Sequence, residues 1–254
     1  MGVKRNSAVH RPSKPLISRV LIGVLAAALL FSWPCMVIAD RFSSPIGIVA
    51  LDPGHGGNDT GGRGQGGTTE KEITLSLARR MALEMEPDYK VVLTRSDDYN
   101  VPLNERAAIA NNQKADLLIS LHTSSGFLHA TQGINIYSFK QAGKETSPPF
   151  ATGGPIAWDR TQLPHAAAAR QLAENLRRTL SALPGAPEVR VMQTPLTMLK
   201  GARMPAVLIE IGYLTNPATE KNLNAEDRQT AHARAIIQGI DIYMAGLRLK
   251  NQTN

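Results

Sequence analysis

The sequence predicts one α/β domain, spanning residues 45–248, with a mostly parallel, twisted β-sheet and helices on both of its faces. Strand-like and helix-like segments alternate along this part of the chain, which is the pattern of such folds. The strand-like segments are largely apolar, as expected for strands that are buried on both faces. The chain has 254 residues, of which 43% are hydrophobic and 19% are charged, so one large domain with its own core is expected.

The first half of the domain supplies four of the predicted strands. An apolar run at 46–51 is the first strand, and a helix follows at 71–86. That helix is predicted from apolar residues at every fourth position, namely Ile73, Leu77, Met81 and Met85. Shorter patterns predict a helix at 104–113 and strands at 90–94, 116–121 and 133–138.

The second half supplies two further helices and two further strands. The helix at 164–183 has an apolar stripe at Ala169, Leu172, Leu176, Leu180 and Leu183. Two strands are predicted at 189–192 and 206–211, and a final helix at 227–247. The intervening segment 139–163 is rich in Pro and Gly and has no periodicity, so we expect a loop insertion there.

Residues 1–39 are predicted to be a secretory signal peptide. A basic segment precedes an uninterrupted apolar run at 20–31, and Val37-Ile38-Ala39 resembles a cleavage site for signal peptidase. A retained membrane anchor is the alternative, because 20–39 is about long enough to cross a bilayer. Both interpretations predict an exported domain, located in the periplasm or the cell wall.

Charge and cysteine content exclude several classes of protein. The 28 Lys and Arg residues exceed the 21 Asp and Glu residues by seven, but five of the cations lie in 1–39, where no acidic residue occurs. The domain itself is therefore nearly neutral, which argues against nucleic acid as a partner. Cys35 is the only cysteine, so neither a disulfide scaffold nor a cysteine-based zinc site is expected.

Three of the predicted strands carry polar residues at or near their carboxyl ends. His55 follows the first strand, His122 follows the third, and Glu210 lies one residue before the end of the strand at 206–211. Ligands of open parallel sheets bind at this edge. Histidine and carboxylate side chains are natural ligands of a catalytic Zn²⁺ ion, which takes three protein ligands and one water.

Glu70 is the predicted third ligand of this ion, beside the two histidines. A segment with eight glycines at 54–67 lets the backbone approach a ligand closely and leads to the first helix. Thr69 and Glu72 have the spacing of a capping box, which gives Glu72 a structural role. Glu70 is then free to bind the ion.

Glu210 is the predicted acid–base residue. An ionised carboxylate among apolar neighbours is costly unless it is paired or lies near a cation. Beside a Zn²⁺ ion it could accept a proton from an activated water and return it to a leaving amine. The alternative for this residue is a structural ion pair with Arg106 or Arg203.

The proposed ligands also have purely structural interpretations. His55 could fill a Gly-rich turn, and His122 could be a hydrogen-bonded core residue. Glu70 could be a helix-start acid that the helix dipole favours. Each of these interpretations can explain one residue. To explain all of the residues, however, several independent structural roles would have to occur together.

Other candidate residues are assigned no catalytic role. His10 precedes the predicted cleavage site, His129 lies in a turn, and His165 and His232 lie on helices beside apolar residues. A Gly-x-Gly-x-x-Gly pattern at 62–67 begins too far from the preceding strand to be a dinucleotide site.

Five sequence motifs resemble the zinc-dependent N-acetylmuramoyl-L-alanine amidases of bacterial cell walls. They are LDPGHGG at 51–57, GGTTEKE at 66–72, LNERAAIAN at 103–111, SLHTS at 120–124 and VLIEIGYLTNP at 207–217. The resemblance implies that His55, Glu70 and His122 bind one Zn²⁺ ion per chain and that Glu210 is catalytic. It also implies a substrate, peptidoglycan, and a bond, the amide between N-acetylmuramic acid and L-alanine of the stem peptide.

Two features of the sequence depart from that family. Thr123-Ser124 stands where the family commonly has Ala-Asn, so the substrate-binding residues are not assigned. The segment 139–163 lacks the helical pattern that covers the zinc in some relatives, so we expect an open site or a mobile lid. The sequence allows a protein activator but does not require one, and membrane contact is expected only through residues 1–39 if they are not cleaved. The alternative functions are another zinc-dependent cell-wall peptidase or deacetylase, and a non-catalytic peptidoglycan-binding domain.

Overall fold

A computed structural model describes residues 1–2, 45–140 and 158–252. Nearly all of the predicted signal peptide and most of the predicted loop insertion therefore lie outside the described residues. Among the residues described, no helix combines the length and the apolar character needed to cross a membrane.

Six strands form one sheet in the order β2-β1-β3-β6-β4-β5. Their bounds are β1 Ile48–Pro53, β2 Lys90–Leu93, β3 Leu117–Ser124, β4 Ile134–Phe139, β5 Val189–Thr194 and β6 Ala206–Tyr213. Every neighbouring pair is parallel except β4 and β6, which run antiparallel. The prediction of a single α/β domain with a mostly parallel sheet is confirmed.

Six α-helices accompany the sheet in the part of the chain that the structure describes. They are α1 Glu70–Met85, α2 Leu103–Asn112, α3 Ala166–Ser181, α4 Thr197–Lys200, α5 Pro217–Asn224 and α6 Glu226–Gln252. The sequence analysis missed α4, which is a single turn, and α5. The side chain of Asn216 caps α5 by accepting from two backbone N–H groups, and Pro217 is its first residue, so this start signal was present in the sequence.

Some predicted boundaries were wrong. The strands predicted at 116–121 and 206–211 continue as far as Ser124 and Tyr213, because β3 and β6 remain paired across an irregularity after His122. His122 and Glu210 therefore lie inside strands. At the end of the predicted insertion at 139–163, short 3₁₀ helices occupy Trp158–Arg160 and Leu163–His165.

The sheet has an apolar core on each face, because side chains alternate along a strand. One face carries residues such as Leu51 and Ile119 and packs against α1, α3 and α6. The other face carries Leu118 and Ala206 and packs against α2 and α4. Both faces of the sheet are covered by helices, as the apolar strands predicted.

The second face becomes polar toward the carboxyl ends of β1, β3 and β6. Asp52 is paired in register with Ser120, and His122 is paired with Glu210. Glu210 is in turn paired with Asn135 on the antiparallel strand β4. One edge of this face therefore collects the polar side chains of four adjacent strands.

His232 on α6 makes the stability of the folded domain depend on pH. Burial of its imidazole lowers the pKa of His232 below the usual value. The unfolded chain then binds this proton more readily than the folded chain, so the stability is complete above about pH 6.5 and is lost as the pH falls.

We expect His232→Gln to reduce the acid sensitivity of the metal-free protein. Thermal melts at about pH 7.5 and about pH 5.5 should show a smaller fall in Tm for this variant than for the wild type. His129→Gln, on a turn, is the matched control and should behave as the wild type does. An equal fall in Tm for His232→Gln would contradict a role for this histidine.

Candidate metal centre

His55, Glu70 and His122 converge at the polar edge of the sheet. Each offers one ligand atom, and these three atoms lie within 4.8 Å of one another. His55 Nε2 is 3.1 Å from Glu70 Oε2, and His122 Nδ1 is 2.9 Å from Glu70 Oε1. The two imidazole rings meet edge to face, with 5.1 Å between their centroids.

The start of α1 aims Glu70 at the two histidines. Thr69 caps the helix, and Glu72 accepts hydrogen bonds from the backbone N–H and the hydroxyl of Thr69, so the predicted capping box is present. Glu70 is buried and accepts backbone N–H bonds from Gly62 at 2.7 Å and Thr123 at 2.8 Å. The first turn of α1 thus carries both a capping carboxylate, Glu72, and a carboxylate that faces the site, Glu70.

Glu70 stays ionised although it is buried. Burial by itself raises the pKa of this carboxyl, but the hydrogen bonds with His122 and His55 outweigh it and hold the pKa well below its usual range. An ionised carboxylate between two imidazoles is a suitable oxygen ligand for a divalent cation.

His55 is held in an unusual backbone conformation by its surroundings. Its φ is +60°, a value uncommon for residues other than glycine. Its Nδ1 lies 2.8 Å from Asp59 Oδ2, and the hydrogen bond with Glu70 raises its pKa. Carboxylates commonly orient metal-binding histidines in this way, and Asp59, which the sequence analysis missed, has the position of such an orienting group.

Two glycines give the histidines the space that they occupy. A Cβ at Gly54 would lie 2.7 Å from both ring nitrogens of His122. A Cβ at Gly61, whose φ is +63°, would lie 2.5 Å from the ring of His55. The Gly-rich segment therefore brings its backbone directly against the imidazoles.

Glu220 on α5 fixes the far end of this Gly-rich segment. Its buried carboxylate accepts the backbone N–H of Gly66 at 2.9 Å and that of Thr68 at 3.2 Å. The bond from Gly66 is the main reason why the pKa of Glu220 is lowered. The segment that leads to Glu70 is thus attached to a helix more than 150 residues later in the sequence.

A buried ion pair supports the backbone beneath the candidate ligands. Arg106 Nη1 donates to Asp52 Oδ1 at 2.8 Å, and its Nη2 donates to the carbonyl oxygen of His55 at 2.9 Å. Asp52 Oδ2 accepts from the hydroxyl of Ser120 at 2.7 Å. The suggested ion pair between Arg106 and Glu210 is therefore wrong, because Arg106 binds Asp52.

Arg95 supports the same turn, and no ion pair with a carboxylate is found for it among the described residues. It is fully buried, and it donates to the carbonyl oxygens of Pro53 at 2.9 Å and Gly54 at 2.8 Å. Burial lowers the pKa of its guanidinium. Two arginines thus hold the three carbonyl groups of residues 53–55.

Among the residues that the structure describes, Glu210 is bound through one of its two carboxylate oxygens. Oε2 accepts from Asn135 Nδ2 at 2.9 Å and from Tyr137 Oη at 3.1 Å, and the hydroxyl of Ser124 also contacts it. None of the hydrogen bonds among the described residues uses Oε1. No described ion pair involves Glu210, so the alternative pairing with Arg203 is not observed either.

Comparison with known proteins assigns the family. A model of the N-acetylmuramoyl-L-alanine amidases matches residues 49–241. The chain belongs to this family. The amidase AmiC of Neisseria meningitidis is 30% identical over 218 residues, which cover 78% of this chain and 52% of that protein. The chain therefore spans about half the length of this relative.

Solved amidase structures share the fold. The catalytic domain of CwlV from Bacillus (Paenibacillus) polymyxa superimposes with a TM-score of 0.61 and 28% identity, covering 78% of this chain and 98% of that domain. The CwlD amidase of Clostridioides difficile, solved in complex with the GerS lipoprotein, gives a TM-score of 0.58 and 26% identity over 78% and 98% of the chains.

Thr123 and Ser124, which the sequence analysis named as departures from the family, each contact a candidate site residue. The backbone N–H of Thr123 binds Glu70, and the hydroxyl of Ser124 contacts Glu210. Asn135 and Tyr137, which the sequence analysis missed, are placed next to Glu210 because β4 pairs with β6. No local signal in β4 indicated this pairing.

Proposed function

We propose that the chain hydrolyses the amide bond between N-acetylmuramic acid and L-alanine of the peptidoglycan stem peptide. The observation that carries the proposal is the cluster of His55, Glu70 and His122 beside Glu210, in a member of the amidase family. Three candidate ligands with an adjacent carboxylate are what metal-assisted amide hydrolysis requires.

We further propose that His55, Glu70 and His122 hold one Zn²⁺ ion. Two imidazole nitrogens and one carboxylate oxygen are a common ligand set for catalytic zinc. His122 Nε2 is buried and has no hydrogen-bond partner among the described residues. Because buried polar atoms normally have a partner, this nitrogen is suited to bind a metal ion. Asp59 supplies the carboxylate that orients His55.

Glu210 moves the proton in the proposed reaction. When bound, Zn²⁺ polarises the scissile carbonyl and lowers the pKa of a water to about 7. Asn135 and Tyr137 hold Oε2 of Glu210, which leaves Oε1 to take the proton of the attacking water. Glu210 then delivers that proton to the departing nitrogen of L-alanine.

Gly54→Ala tests the zinc site without removing a ligand. The new methyl group would overlap the ring of His122, so we expect zinc affinity to fall about 10–100-fold in a folded protein. Calorimetric titration of metal-free protein with Zn²⁺ measures the affinity, and circular dichroism checks the fold. Gly246→Ala is the control, because a Cβ there meets nothing within 4 Å. Wild-type affinity in Gly54→Ala would argue against His122 as a ligand.

Product analysis on purified sacculi tests the proposed function. We expect free stem peptides that begin with L-alanine, and glycan chains that stay intact. Cleavage within the peptides would instead identify a peptidase, and loss of acetyl groups a deacetylase. Binding to sacculi with no released product would identify a peptidoglycan-binding domain.

We propose that the domain acts outside the cytoplasmic membrane, after export directed by residues 1–39. Peptidoglycan lies there, and this expectation from the sequence is consistent with the proposed substrate. We also propose that the domain needs no activator protein. Activity of the purified chain alone is the expected result, and activity seen only with an added partner would contradict it.

A further inference from the structure

A cavity opens directly beside the two candidate histidine ligands. Its volume is about 300 Å³, and His55 and His122 form part of its lining. This volume is at the lower end of the range for small-molecule sites, which is enough for one ring with its substituents. Another cavity, of about 230 Å³, is lined by Ile211 and His232 and includes none of the four candidate site residues.

Four apolar residues contribute to the lining of this cavity and form its apolar wall, beside three polar residues and the two histidines. Val101, Pro102 and Leu103 line it from the start of α2, and Met198 lines it from α4. Leu103 is 54% exposed, whereas Met198 packs partly against the core of this face. The cavity therefore offers apolar side chains to a ligand that also reaches the metal centre.

The buried ion pair fixes the position of this wall. Arg106 Nε donates to the carbonyl oxygen of Val101 at 3.0 Å, and the same guanidinium binds Asp52 and the carbonyl oxygen of His55. One side chain thus links the apolar wall to the backbone of a candidate ligand. The cavity is preformed, and it has a fixed position relative to the metal centre.

The two histidines line the cavity, whereas Glu210 does not. His55 follows β1, His122 lies in β3 and Glu210 lies in β6, and these strands are neighbours in that order. Among the described residues, the lining includes His55 and His122 but not Glu210, so this carboxylate lies outside the cavity. The leaving nitrogen must face Glu210, because it receives the proton from this carboxylate. The substituents of the acyl carbon then point toward the cavity.

We propose that this cavity binds the acyl half of the substrate, which is the lactyl group together with the N-acetylated sugar that carries it. The inference rests on the proposed function. The methyl groups of the lactyl and acetamido substituents contact Leu103 and Met198, and the polar atoms of the sugar face Asn100 at the rim. Leu103 and Met198 therefore determine specificity for the sugar acid.

A pair of substrates with the same leaving group tests this assignment. One is an N-acetylmuramoyl stem peptide, and the other is the same peptide with a lactoyl group in place of the sugar acid. In Leu103→Ala and Met198→Ala we expect KM for the muramoyl substrate to rise about tenfold, with kcat nearly unchanged. For the lactoyl substrate, both KM and kcat should change less than about twofold. Leu83→Ala, at an exposed leucine of α1, is the control.

Inhibition by the two products gives an independent readout. The variants should weaken inhibition by N-acetylmuramic acid and leave inhibition by the free stem peptide unchanged. Weaker inhibition by the peptide, or equal losses for both substrates, would overturn the assignment to the acyl half. If the wild type cleaves neither substrate but binds zinc, the proposed function itself is wrong, and the assignment fails with it.

Discussion

Glu210→Gln is expected to lower kcat by about 10²–10⁴-fold, the usual contribution of a general acid–base group. Glutamine has the same shape, and its carbonyl oxygen can keep the hydrogen bonds from Asn135 and Tyr137. The group that replaces Oε1 is then an amide nitrogen, which cannot accept the proton of the water. The loss should therefore appear in turnover and not in folding.

Three measurements separate this role from a structural one. Release of stem peptides from sacculi gives the rate, metal analysis gives the zinc content, and thermal melting gives the stability. We expect only the rate to change in Glu210→Gln. Glu84→Gln, at a surface carboxylate that contacts Arg234, is the control and should keep full activity. More than half of the wild-type rate in Glu210→Gln would rule out the assignment.

Arg106→Met is expected to destabilise the domain by about 3–5 kcal/mol, because it leaves a buried carboxylate without its cation. Asp52 and Arg106 are 2% and 4% exposed, and their side chains are 2.8 Å apart. For a domain of this size, that loss corresponds to a fall in Tm of roughly 6–20 °C. The carbonyl oxygen of His55 also loses a donor, so zinc affinity should fall too.

A double variant distinguishes the ion pair from the packing of the long side chain. Asp52→Asn combined with Arg106→Met removes both charges, and we expect it to be more stable than Arg106→Met alone. Arg203→Met, at an exposed arginine, should melt as the wild type does. If Arg106→Met melts within about 2 °C of the wild type, the buried pair does not stabilise the domain in the way proposed.

The periodic spacing of apolar residues predicted most of the fold, because each long helix buries a continuous stripe of apolar side chains. The four apolar residues that indicated α1 are all buried in its core. The ends of β3 and β6 could not be predicted from the apolar pattern. Polar residues there depart from that pattern, although they continue the pairing of the two strands. Hydrogen bonding to a neighbouring strand, which a local pattern does not report, decides where such strands end.

The site was predictable where a residue follows a strand or opens a helix. His55 follows β1 and Glu70 opens α1, and the capping box around Thr69 left Glu70 free. Asn135 could not be predicted, because its role depends on β4 being placed next to β6 in the opposite direction. Arg95 was missed because an arginine after a strand is normally on the surface, whereas this one is buried under backbone carbonyls.

Glu220 has a consequence for how the protein matures during synthesis. The last of the three candidate ligands is residue 122, but the loop that leads to Glu70 is held by a carboxylate nearly one hundred residues later. A nascent chain that stops short of α5 thus contains every ligand and lacks the contact that orders one of them. Because contacts so distant in sequence form slowly, hydrolytic competence should arise late, only after α5 has been synthesised.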